Sequence, residues 1–283
     1  MPALTVAAIQ LTSVDDVAQN LDRCRALVRA ARGAGADLVG LPENFAFLGS
    51  DHDHRAAIAE PTDDNASGPI LTAMRTLARE TGAWLLLGGF PERGSDRGGT
   101  RSGGDVTNLI RNTSLLLDPG GAIVARYRKV HLFDVDVPGG MQFRESESVE
   151  AGSEVVVADT PWGGLGLSIC YDLRFPELYR RLSEKKARLI AVPSAFTRET
   201  GKDHWHVLLR ARAIENQAFV FAPAQFGWHG GKRFSYGHAL VIDPWGTVIA
   251  QCGDHEGFAL AALDFAYQDR IRASLPCLGH RKL

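Results

Sequence analysis

The 283-residue chain is poor in the features that mark secreted, membrane and nucleic-acid-binding proteins. Its only cysteines are Cys24, Cys170, Cys252 and Cys277, and no two lie close together, which argues against a disulfide framework or a zinc ribbon. No apolar run approaches the ~18 residues that a membrane-spanning helix needs. The net charge of −2 leaves no excess of basic residues for nucleic acid or an anionic membrane surface.

The first residues also lack the basic leader of a signal peptide. The stretch M-P-A-L-T-V-A-A-I-Q is soon followed by Asp15 and Asp16, so we expect a cytoplasmic protein with reduced thiols. Hydrophobic residues make up 45% of the chain and charged residues 23%, which is typical of a globular protein with a large core. The expected partner is a small-molecule substrate, with neither nucleic acid nor a membrane.

Strand and helix patterns alternate in both halves of the chain. Leu4–Leu11 and Leu38–Leu41 are apolar runs typical of strands, and Asp15–Ala34 between them has apolar residues at helical spacing, which predicts a parallel βαβ unit. A similar series occurs in the second half, and strand-like segments lie between the two. Ser235–Ile242 is predicted as one strand and Val135–Gly152 as a loop. This order predicts two sheets packed together and covered by helices within one domain.

The segment Gly166–Leu178, G-L-S-I-C-Y-D-L-R-F-P-E-L, joins a predicted strand to a predicted helix. Leu165–Cys170 is apolar and β-compatible, and Pro176 suits the first turn of a helix, so Cys170 is expected at the carboxyl end of a strand. Ligands bind at this edge of open α/β sheets, and a helix N-terminus with a nearby cation lowers the pKa of a thiol. Cys170 is therefore a candidate nucleophile, although most lone cysteines are small buried core residues.

Two charged residues lie in similar positions elsewhere. Glu43 follows a predicted strand in L-P-E-N-F, where the default interpretation is a solvated loop carboxylate. Lys129 lies in R-Y-R-K-V-H-L-F-D, where Arg126, Arg128 and Lys129 together are typical of a solvated basic edge. A buried lysine would instead stabilise an oxyanion.

Glu43, Lys129 and Cys170, in this order and these contexts, resemble the Glu-Lys-Cys triad of the nitrilase, or carbon–nitrogen hydrolase, superfamily. The resemblance runs from A-A-I-Q near the N-terminus to Y-G-H-A-L-V-I-D-P-W-G near the C-terminus. It implies an α/β fold, a four-layer αββα sandwich, as a single domain over residues 1–283. It also implies a homodimer or higher homo-oligomer formed through helical faces, with the tail from about residue 266 to 283 at the interface. No cofactor and no metal are implied.

The resemblance also assigns roles to the site residues. Cys170 attacks the carbonyl carbon, Glu43 is the general base and Lys129 stabilises the oxyanion. These roles agree with the chemistry, because a thiol nucleophile needs a base and a tetrahedral oxygen needs a preorganised donor. The backbone N–H of Tyr171 is the expected second donor.

A second glutamate orients the catalytic groups in many members of the superfamily. The matching position, sixteen residues after Lys129, is Glu145, and Glu147 is the less favoured neighbour. The family pattern has a glutamate after the tryptophan of H-W-x, where this chain has His206, and this difference bears on contacts near the pocket mouth.

Details of the motifs favour one branch of the superfamily. True nitrilases tend to have C-W-E after the nucleophile, whereas C-Y-D-L-R-F-P-E resembles amidases that act on ω-amides of α-keto acids. H-L-F-D-V-D-V-P-G and the C-terminal L-P-x-x-x-H-R are similar to deaminated glutathione amidases, with ω-amidases close behind. The resemblance implies hydrolysis of a small carboxylate-bearing amide through a cysteine thioester, with release of ammonia. The alternatives are an ω-amidase acting on α-ketoglutaramate and an N-carbamoyl amino acid hydrolase.

Arg174 lies at the same strand–helix junction as the candidate nucleophile. A guanidinium there is suited to bind a substrate carboxylate through two parallel hydrogen bonds, which lysine does not reproduce. The alternative is a local ion pair with Asp172 or Glu177. The resemblance favours the substrate role, with Phe196 and Thr197 of S-A-F-T as further substrate contacts.

Two other classes of function are alternatives to a cysteine amidase. A serine hydrolase is suggested by G-L-S-I-C, which imitates a nucleophile elbow around Ser168, but Cys170 replaces the glycine that permits the tight turn. A non-catalytic binding or scaffold protein on the same fold is the second alternative. Loss of hydrolysis on treatment with a thiol reagent would separate this alternative from an enzyme.

Overall fold

The computed structural model describes residues 3–49, 52–63, 68–94, 99–101, 104–106, 109–137, 141–231 and 233–282. Its α-helices are α1 Val17–Gly33, α2 His52–Ala57, α3 Pro69–Thr81, α4 Pro176–Glu184, α5 Arg198–Asn216 and α6 Phe265–Ser274. Its strands are β1 Leu4–Leu11, β2 Leu38–Leu41, β3 Trp84–Arg93, β4 Gly99–Arg101, β5 Gly104–Val106, β6 Ile110–Leu117, β7 Ile123–Arg128, β8 Asp134–Val137, β9 Met141–Arg144, β10 Val157–Thr160, β11 Gly163–Leu167, β12 Ala187–Ala191, β13 Phe219–Ala222, β14 Ala224–Trp228, β15 Phe234–Tyr236, β16 Leu240–Ile242, β17 Val248–Gln251 and β18 Gly257–Leu263.

The long strands form two sheets. The larger has the order β15-β14-β1-β2-β3-β6-β7, with β18 also antiparallel to β1, and the smaller has the order β10-β11-β12-β13-β16-β17. The strands β1, β2 and β3 are parallel, as are β11, β12 and β13. Parallel neighbours need crossover connections, and α1, α3, α4 and α5 are the helices that provide them.

Strand β1 shows how the layers are assembled. Its Val6 and Ala8 belong to the core that lies between the two sheets, whereas Ala7 and Ile9 belong to the core under α1 and α3. This division follows from the two-residue period of a strand, because successive side chains point to opposite faces. The helices α4 and α5 pack against the outer face of the smaller sheet in the same way. The predicted four-layer αββα sandwich is confirmed.

Helix α1 follows the sequence pattern closely. The Asp16 side chain accepts a hydrogen bond from the Gln19 N–H at 3.0 Å, which is the N-cap interaction that starts the helix. The buried residues Leu21, Cys24 and Val28 recur at helical spacing and face the sheet. The predicted βαβ unit is therefore present. No helix in the described ranges has the length and apolarity required to traverse a bilayer.

Two predicted segments are wrong in detail. Ser235–Ile242 is not one strand, because β15 belongs to the larger sheet and β16 to the smaller. Gly237 and His238 both have positive φ, 79° and 59°, and this turn carries the chain from one sheet to the other. The segment Val135–Gly152, predicted as a loop, contains most of the β8–β9 hairpin and a 3₁₀ helix over Glu145–Glu147.

Candidate active site

The three candidate catalytic residues come from both sheets. Glu43 lies just after β2, and Lys129 directly follows β7, so both belong to the larger sheet. Cys170 comes after β11 of the smaller sheet. Along the chain Lys129 is 86 residues from Glu43 and 41 residues from Cys170, yet all three side chains line one cavity. The fold therefore brings together residues that are distant in sequence.

The backbone at Cys170 forms a tight turn between strand and helix. Strand β11 ends at Leu167, not at Cys170 as predicted, and Cys170 begins a 3₁₀ helix that runs to Arg174. Its φ of 47° is in the left-handed region, which is uncommon for a residue with a Cβ and is often found at functional sites. The Cys170 N–H donates to the Pro193 carbonyl at 3.0 Å. The next N–H, that of Tyr171, lies in the first turn, where a helix offers it no internal acceptor.

Hydrogen bonds to Asp172 connect this turn to the segment that carries Lys129. Its fully buried carboxylate accepts hydrogen bonds from the Ile169 N–H at 2.8 Å and the Tyr127 hydroxyl at 2.7 Å. The His131 backbone N–H, at 3.1 Å, and the His131 ring nitrogen Nδ1, at 2.7 Å, contact the other oxygen. Asp172 thus fixes the position of Cys170 relative to the end of β7, and it is not available as an ion-pair partner for Arg174.

Glu43, Lys129, Glu145 and Asn112 form a buried hydrogen-bond network. Lys129 Nζ donates to Glu43 Oε1 at 2.9 Å and to Glu145 Oε2 at 2.8 Å. Asn112 Nδ2 donates to the same two carboxylates, at 2.9 Å to Glu43 and 3.1 Å to Glu145. The second oxygen of Glu43 accepts the Ala195 N–H at 3.0 Å. All four carboxylate oxygens of Glu43 and Glu145 therefore accept hydrogen bonds and are held in a fixed geometry, as a buried charged network requires.

The electrostatics of the site keep the resting thiol protonated. Burial and the neighbouring Glu43 carboxylate raise the pKa of Cys170 well above its usual value, and the opposing effect of Lys129 is smaller. The expectation of a depressed thiol pKa at the helix entrance is therefore wrong, because desolvation and the carboxylate outweigh the cation.

Lys129 and Glu145 stabilise each other's charged forms. Burial disfavours the Lys129 ammonium, but the carboxylates of Glu145 and Glu43 outweigh burial and raise its pKa above the ordinary value. Burial likewise opposes ionisation of Glu145, yet Lys129, with a contribution from Arg55, lowers the pKa of this carboxyl. Lys129 is thus a cation and Glu145 an anion at neutral pH.

A cavity of about 300 Å³ opens over this network. The residues that line it include five cationic side chains against two carboxylates, so the cavity attracts anions although the whole chain is slightly negative. The lining side chains include all eight predicted site residues, Glu43, Lys129, Glu145, Cys170, Tyr171, Arg174, Phe196 and Thr197, and also Asn44, Arg55, Phe133, Arg144, His229 and Arg233.

Arg174 is oriented by aromatic side chains and a histidine. Its guanidinium carbon lies 5.3 Å from the centre of the Phe196 ring and 5.9 Å from that of Tyr171, and Nη1 is 3.2 Å from His204 Nδ1. Within the described ranges it forms no salt bridge with Asp172 or Glu177, so the local ion pair weighed from the sequence is not formed. The guanidinium therefore remains able to bind an anion in the cavity.

Three other residues considered in the sequence lie away from the cavity. The Ser168 hydroxyl is fully buried and donates to the Ala191 carbonyl at 2.8 Å, so it is not placed as a nucleophile. His206 contacts Gln251 Oε1 through Nε2 at 2.8 Å and is not a lining residue of the cavity. Glu147 lies in the same 3₁₀ helix as Glu145 but does not line the cavity.

Sequence reasoning missed four residues of this site, Asn112, Arg55, His229 and Arg233. Asn112 had a detectable signal, since Asn112, Thr113 and Ser114 are three consecutive polar residues that lead into the apolar run Leu115–Leu117 of a predicted strand. Polar residues in such a strand indicate that another polar segment of the chain packs against them and forms hydrogen bonds with them. Arg55 lies in the short helix α2, and His229 and Arg233 lie in the β14–β15 turn, and the sequences of these segments carry no distinguishing pattern.

His229 provides a test of the electrostatics through stability. Its Nδ1 lies 2.8 Å from the Ser13 carbonyl, and burial, with a smaller effect from Arg233, lowers its pKa from 6.5 to about 4. The unfolded chain therefore takes up a proton below about pH 6.5 while the folded protein does not, so stability is lost as the pH falls from about 6.5 to about 4.

Between pH 7.5 and pH 4 the unfolding free energy of both proteins should fall. We expect this fall to be on the order of 3 kcal/mol smaller in His229→Gln than in the wild type. Chemical denaturation at a series of pH values measures this difference. Parallel curves for the two proteins would show that His229 titrates normally in the folded state.

Comparisons with known proteins give the same overall picture. The carbon–nitrogen hydrolase family model matches residues 5–273. The deaminated glutathione amidase of Homo sapiens is 46% identical over 278 residues, which cover 98% of this chain and 82% of the human protein. The crystal structure of the C. elegans NitFhit protein has a TM-score of 0.89 and 40% identity, over 99% of this chain and 65% of that one. A mutant amidase from Nesterenkonia sp. AN1, with acrylamide added at its active-site cysteine, has a TM-score of 0.74 and 27% identity over 96% and 98% of the two chains.

Proposed function

The chain belongs to the carbon–nitrogen hydrolase family, and we propose that it uses Cys170, Glu43 and Lys129 to cleave an anionic amide through a thioester. It is an amidase, a hydrolase of carbon–nitrogen bonds other than peptide bonds. The observation that carries the proposed mechanism is the presence of Cys170, Glu43 and Lys129 in one cavity, where Lys129 and the Ala195 N–H hold the Glu43 carboxylate.

Acylation begins with proton transfer, because the thiol is protonated at rest. Glu43 takes the Sγ proton as the sulfur attacks the amide carbonyl carbon, which forms the C–S bond and moves the carbonyl electron pair onto oxygen. When the tetrahedral intermediate collapses, the C–N bond breaks and the nitrogen leaves with the proton that Glu43 returns. The product is the acyl thioester of Cys170 and a free amine or ammonia.

Deacylation reverses these roles for water. Glu43 accepts a proton from a water molecule that attacks the thioester carbonyl, and collapse of the second tetrahedral intermediate breaks the C–S bond. Glu43 then returns the proton to the sulfur, so that the thiol is restored and the acid is released. No cofactor is needed in this sequence of steps, because one carboxylate moves every proton.

The proposed oxyanion donors are Lys129 Nζ and the Tyr171 N–H. An ammonium has three N–H groups, and Lys129 uses two of them on Glu43 and Glu145, which leaves one for the substrate oxygen. The Tyr171 N–H at the start of the 3₁₀ helix is the second donor, as the resemblance implied. Glu145 orients Lys129 from the side opposite Glu43 and is a positioning residue.

The proposed substrates are amides of α-keto dicarboxylic acids. The cavity is rich in cations, and Arg174 lies on the same turn as Cys170, where it can bind the carboxylate of the acyl portion. The Arg174 guanidinium lies over the Phe196 ring, and Thr197 lines the same cavity. One relative is named deaminated glutathione amidase, and deaminated glutathione is an amide of this kind. It is therefore the first-choice substrate, and α-ketoglutaramate is the second.

The leaving group differs between these two substrates. Glutathione is a tripeptide without a primary amide, so cleavage of its deaminated form releases an amine. Ammonia is the product only with a primary amide such as α-ketoglutaramate. The release of ammonia expected from the sequence therefore applies to the second choice alone.

A screen of acyl substrates tests this proposal. We expect Arg174→Lys to raise KM at least about tenfold for α-keto acid amides and less than about threefold for neutral amides, because lysine lacks the two parallel donors. Steady-state kinetics with both classes, and with an N-carbamoyl amino acid and a nitrile, provide the measurement. Arg181→Lys, on the exposed side of α4, is the matched control.

Equal effects of Arg174→Lys on anionic and neutral amides would mean that Arg174 is structural. A wild-type preference for nitriles or N-carbamoyl amino acids over α-keto acid amides would contradict the substrate class and leave the three catalytic roles in place.

We further propose a single domain, a homodimer formed through the helical face of the smaller sheet, and a cytoplasmic location. Val207 and Ile214 on α5 and Trp245 in the β16–β17 turn are large apolar side chains exposed to solvent, as is Leu275 after α6. This supports an interface that includes the tail from about residue 266. Unpaired buried Cys24 and Cys252 support a reducing compartment.

A further inference from the structure

Two cationic side chains in the cavity have no part in the mechanism above. Arg55 Nη2 donates to the side-chain oxygen of Asn44 at 2.8 Å, and the Arg233 guanidinium lies 5.8 Å from the centre of the Phe143 ring. Across the described ranges neither guanidinium forms a salt bridge with a carboxylate. Both line the cavity. Their positive charges thus lie at the cavity and are not neutralised by a bonded protein carboxylate in the described part of the chain.

This arrangement of two buried cations is electrostatically unfavourable. Burial lowers the pKa of both guanidinium groups, and the repulsion from Arg55 lowers that of Arg233 further. Glu43 and Glu145 offset this only from a distance, since both carboxylates are bonded to Lys129 and Asn112. A ligand carboxylate between two such cations gains charge-assisted hydrogen bonds and removes their mutual repulsion.

His229 adds a neutral acceptor beside these cations. Its Nδ1 faces the Ser13 carbonyl, an acceptor, so Nδ1 carries the hydrogen and Nε2 carries a lone pair. Nε2 is buried and has no hydrogen-bond partner among the described residues, and His229 lines the cavity. The His229 N–H donates to the Arg233 carbonyl at 3.1 Å, so both residues lie in one turn. A ligand N–H is the group that this acceptor lacks.

Arg55 and Arg233 lie in segments attached to a different sheet than the one that carries Arg174. Arg174 belongs to the 3₁₀ helix after β11 of the smaller sheet, whereas Arg55 lies in α2 after β2, and Arg233 lies in the β14–β15 turn of the larger sheet. Cys170 and Glu43 lie in the same cavity with both groups. An amide substrate extends from its scissile carbon in two directions, so two separate anion-binding groups match its acyl and amine portions.

We propose that Arg55 and Arg233 bind a carboxylate on the amine portion of the substrate, with His229 accepting an N–H of that portion. These three residues then recognise the amine portion of the first-choice substrate, because deaminated glutathione carries a free peptide carboxylate on that side of the scissile bond. This inference rests on the proposed amidase chemistry at Cys170 and specifies which leaving groups the site selects.

Three substrates with one acyl group test the proposal. The α-ketoglutaryl group is joined through its terminal carbonyl to glycylglycine, to glycylglycinamide or to ammonia, so that the thioester formed is identical in each case. For the wild type we expect kcat/KM to be at least about tenfold higher for glycylglycine than for glycylglycinamide, the size of a charge-assisted hydrogen bond. Equal values for these two substrates would overturn the proposal without any variant.

The Arg233→Met variant removes the charge and keeps an unbranched apolar side chain. We expect it to lower kcat/KM about 10–100-fold for the glycylglycine substrate and to reduce the other two much less, so that the preference disappears. Arg233→Lys retains a charge and should keep part of the preference. The matched control is Arg198→Met, because Arg198 packs on Phe234 next to this turn but does not line the cavity.

The outcomes separate this inference from the proposed function. If the wild type hydrolyses none of the three compounds, the proposed substrate class is wrong. If it hydrolyses all three and Arg233→Met lowers their rates equally, the amidase chemistry stands and Arg233 is structural. If Arg233→Met unfolds, the ratio of kcat/KM for glycylglycine to that for glycylglycinamide is compared between Arg233→Lys and the wild type, and a ratio unchanged from the wild type contradicts the subsite.

Discussion

Replacing Cys170 with alanine should lower the rate of amide hydrolysis by at least about 10³-fold, as removal of a nucleophile does in other hydrolases. Glu43 and Lys129 remain in place, but the sulfur that forms the covalent bond is lost. The fold should be unaffected, because alanine fits the buried site and has the same backbone preferences at a φ of 47°. Initial rates and thermal melting of the same preparation give both results.

Cys252→Ala is the matched control for this variant. Cys252 is also a buried free cysteine, but it follows β17 and does not line the cavity, so its loss should leave activity near the wild-type level. A Cys170→Ala variant with more than about a hundredth of the wild-type rate would show that Cys170 is not the nucleophile.

Replacing Glu43 with glutamine should lower kcat about 10²–10⁴-fold, because the amide cannot accept the thiol proton or return it to the leaving nitrogen. The hydrogen bonds from Lys129 and Asn112 can still be accepted by the glutamine side-chain oxygen, so the geometry of the network is largely preserved. The matched control is Glu147→Gln, which changes the same charge outside the cavity.

The same variant should change the reactivity of the thiol in the opposite direction. The Glu43 carboxylate raises the pKa of Cys170 and Lys129 lowers it, so removal of the carboxylate charge lowers this pKa. Alkylation by iodoacetamide should therefore reach its half-maximal rate at a lower pH in Glu43→Gln than in the wild type, while hydrolysis is nearly lost. Identical alkylation profiles would mean that Glu43 does not act on the thiol.

Much of this arrangement was predictable because the relevant signals are local. Alternating strand and helix patterns predicted the parallel units, and the two-residue period of β1 agrees with a sheet covered on both faces. Glu43, Lys129 and Cys170 stand in distinctive motifs at the ends of predicted strands, and the structure brings all three to one cavity.

The remaining features depend on contacts between distant segments. Asn112 has a role only because β6 passes between the loops that carry Glu43 and Glu145, and no pattern around it names these partners. The raised pKa of Cys170 reflects complete burial next to a carboxylate, which a motif does not specify. Similarly, Arg55 and Arg233 are 178 residues apart in the sequence. The larger sheet brings the segments that carry them close together.

Direct detection of the acyl-enzyme tests the central claim, that Cys170 carries the acyl group during turnover. The activated p-nitrophenyl ester of the preferred acyl group is mixed with the wild type, quenched with acid within the first turnover, and examined by mass spectrometry of the intact and proteolysed protein. We predict a mass increase equal to the acyl group, located on the peptide that contains Cys170, removed by neutral hydroxylamine and absent from Cys170→Ala. Release of p-nitrophenol with no acyl group at any quench time, or with the acyl group on another peptide, would contradict the account.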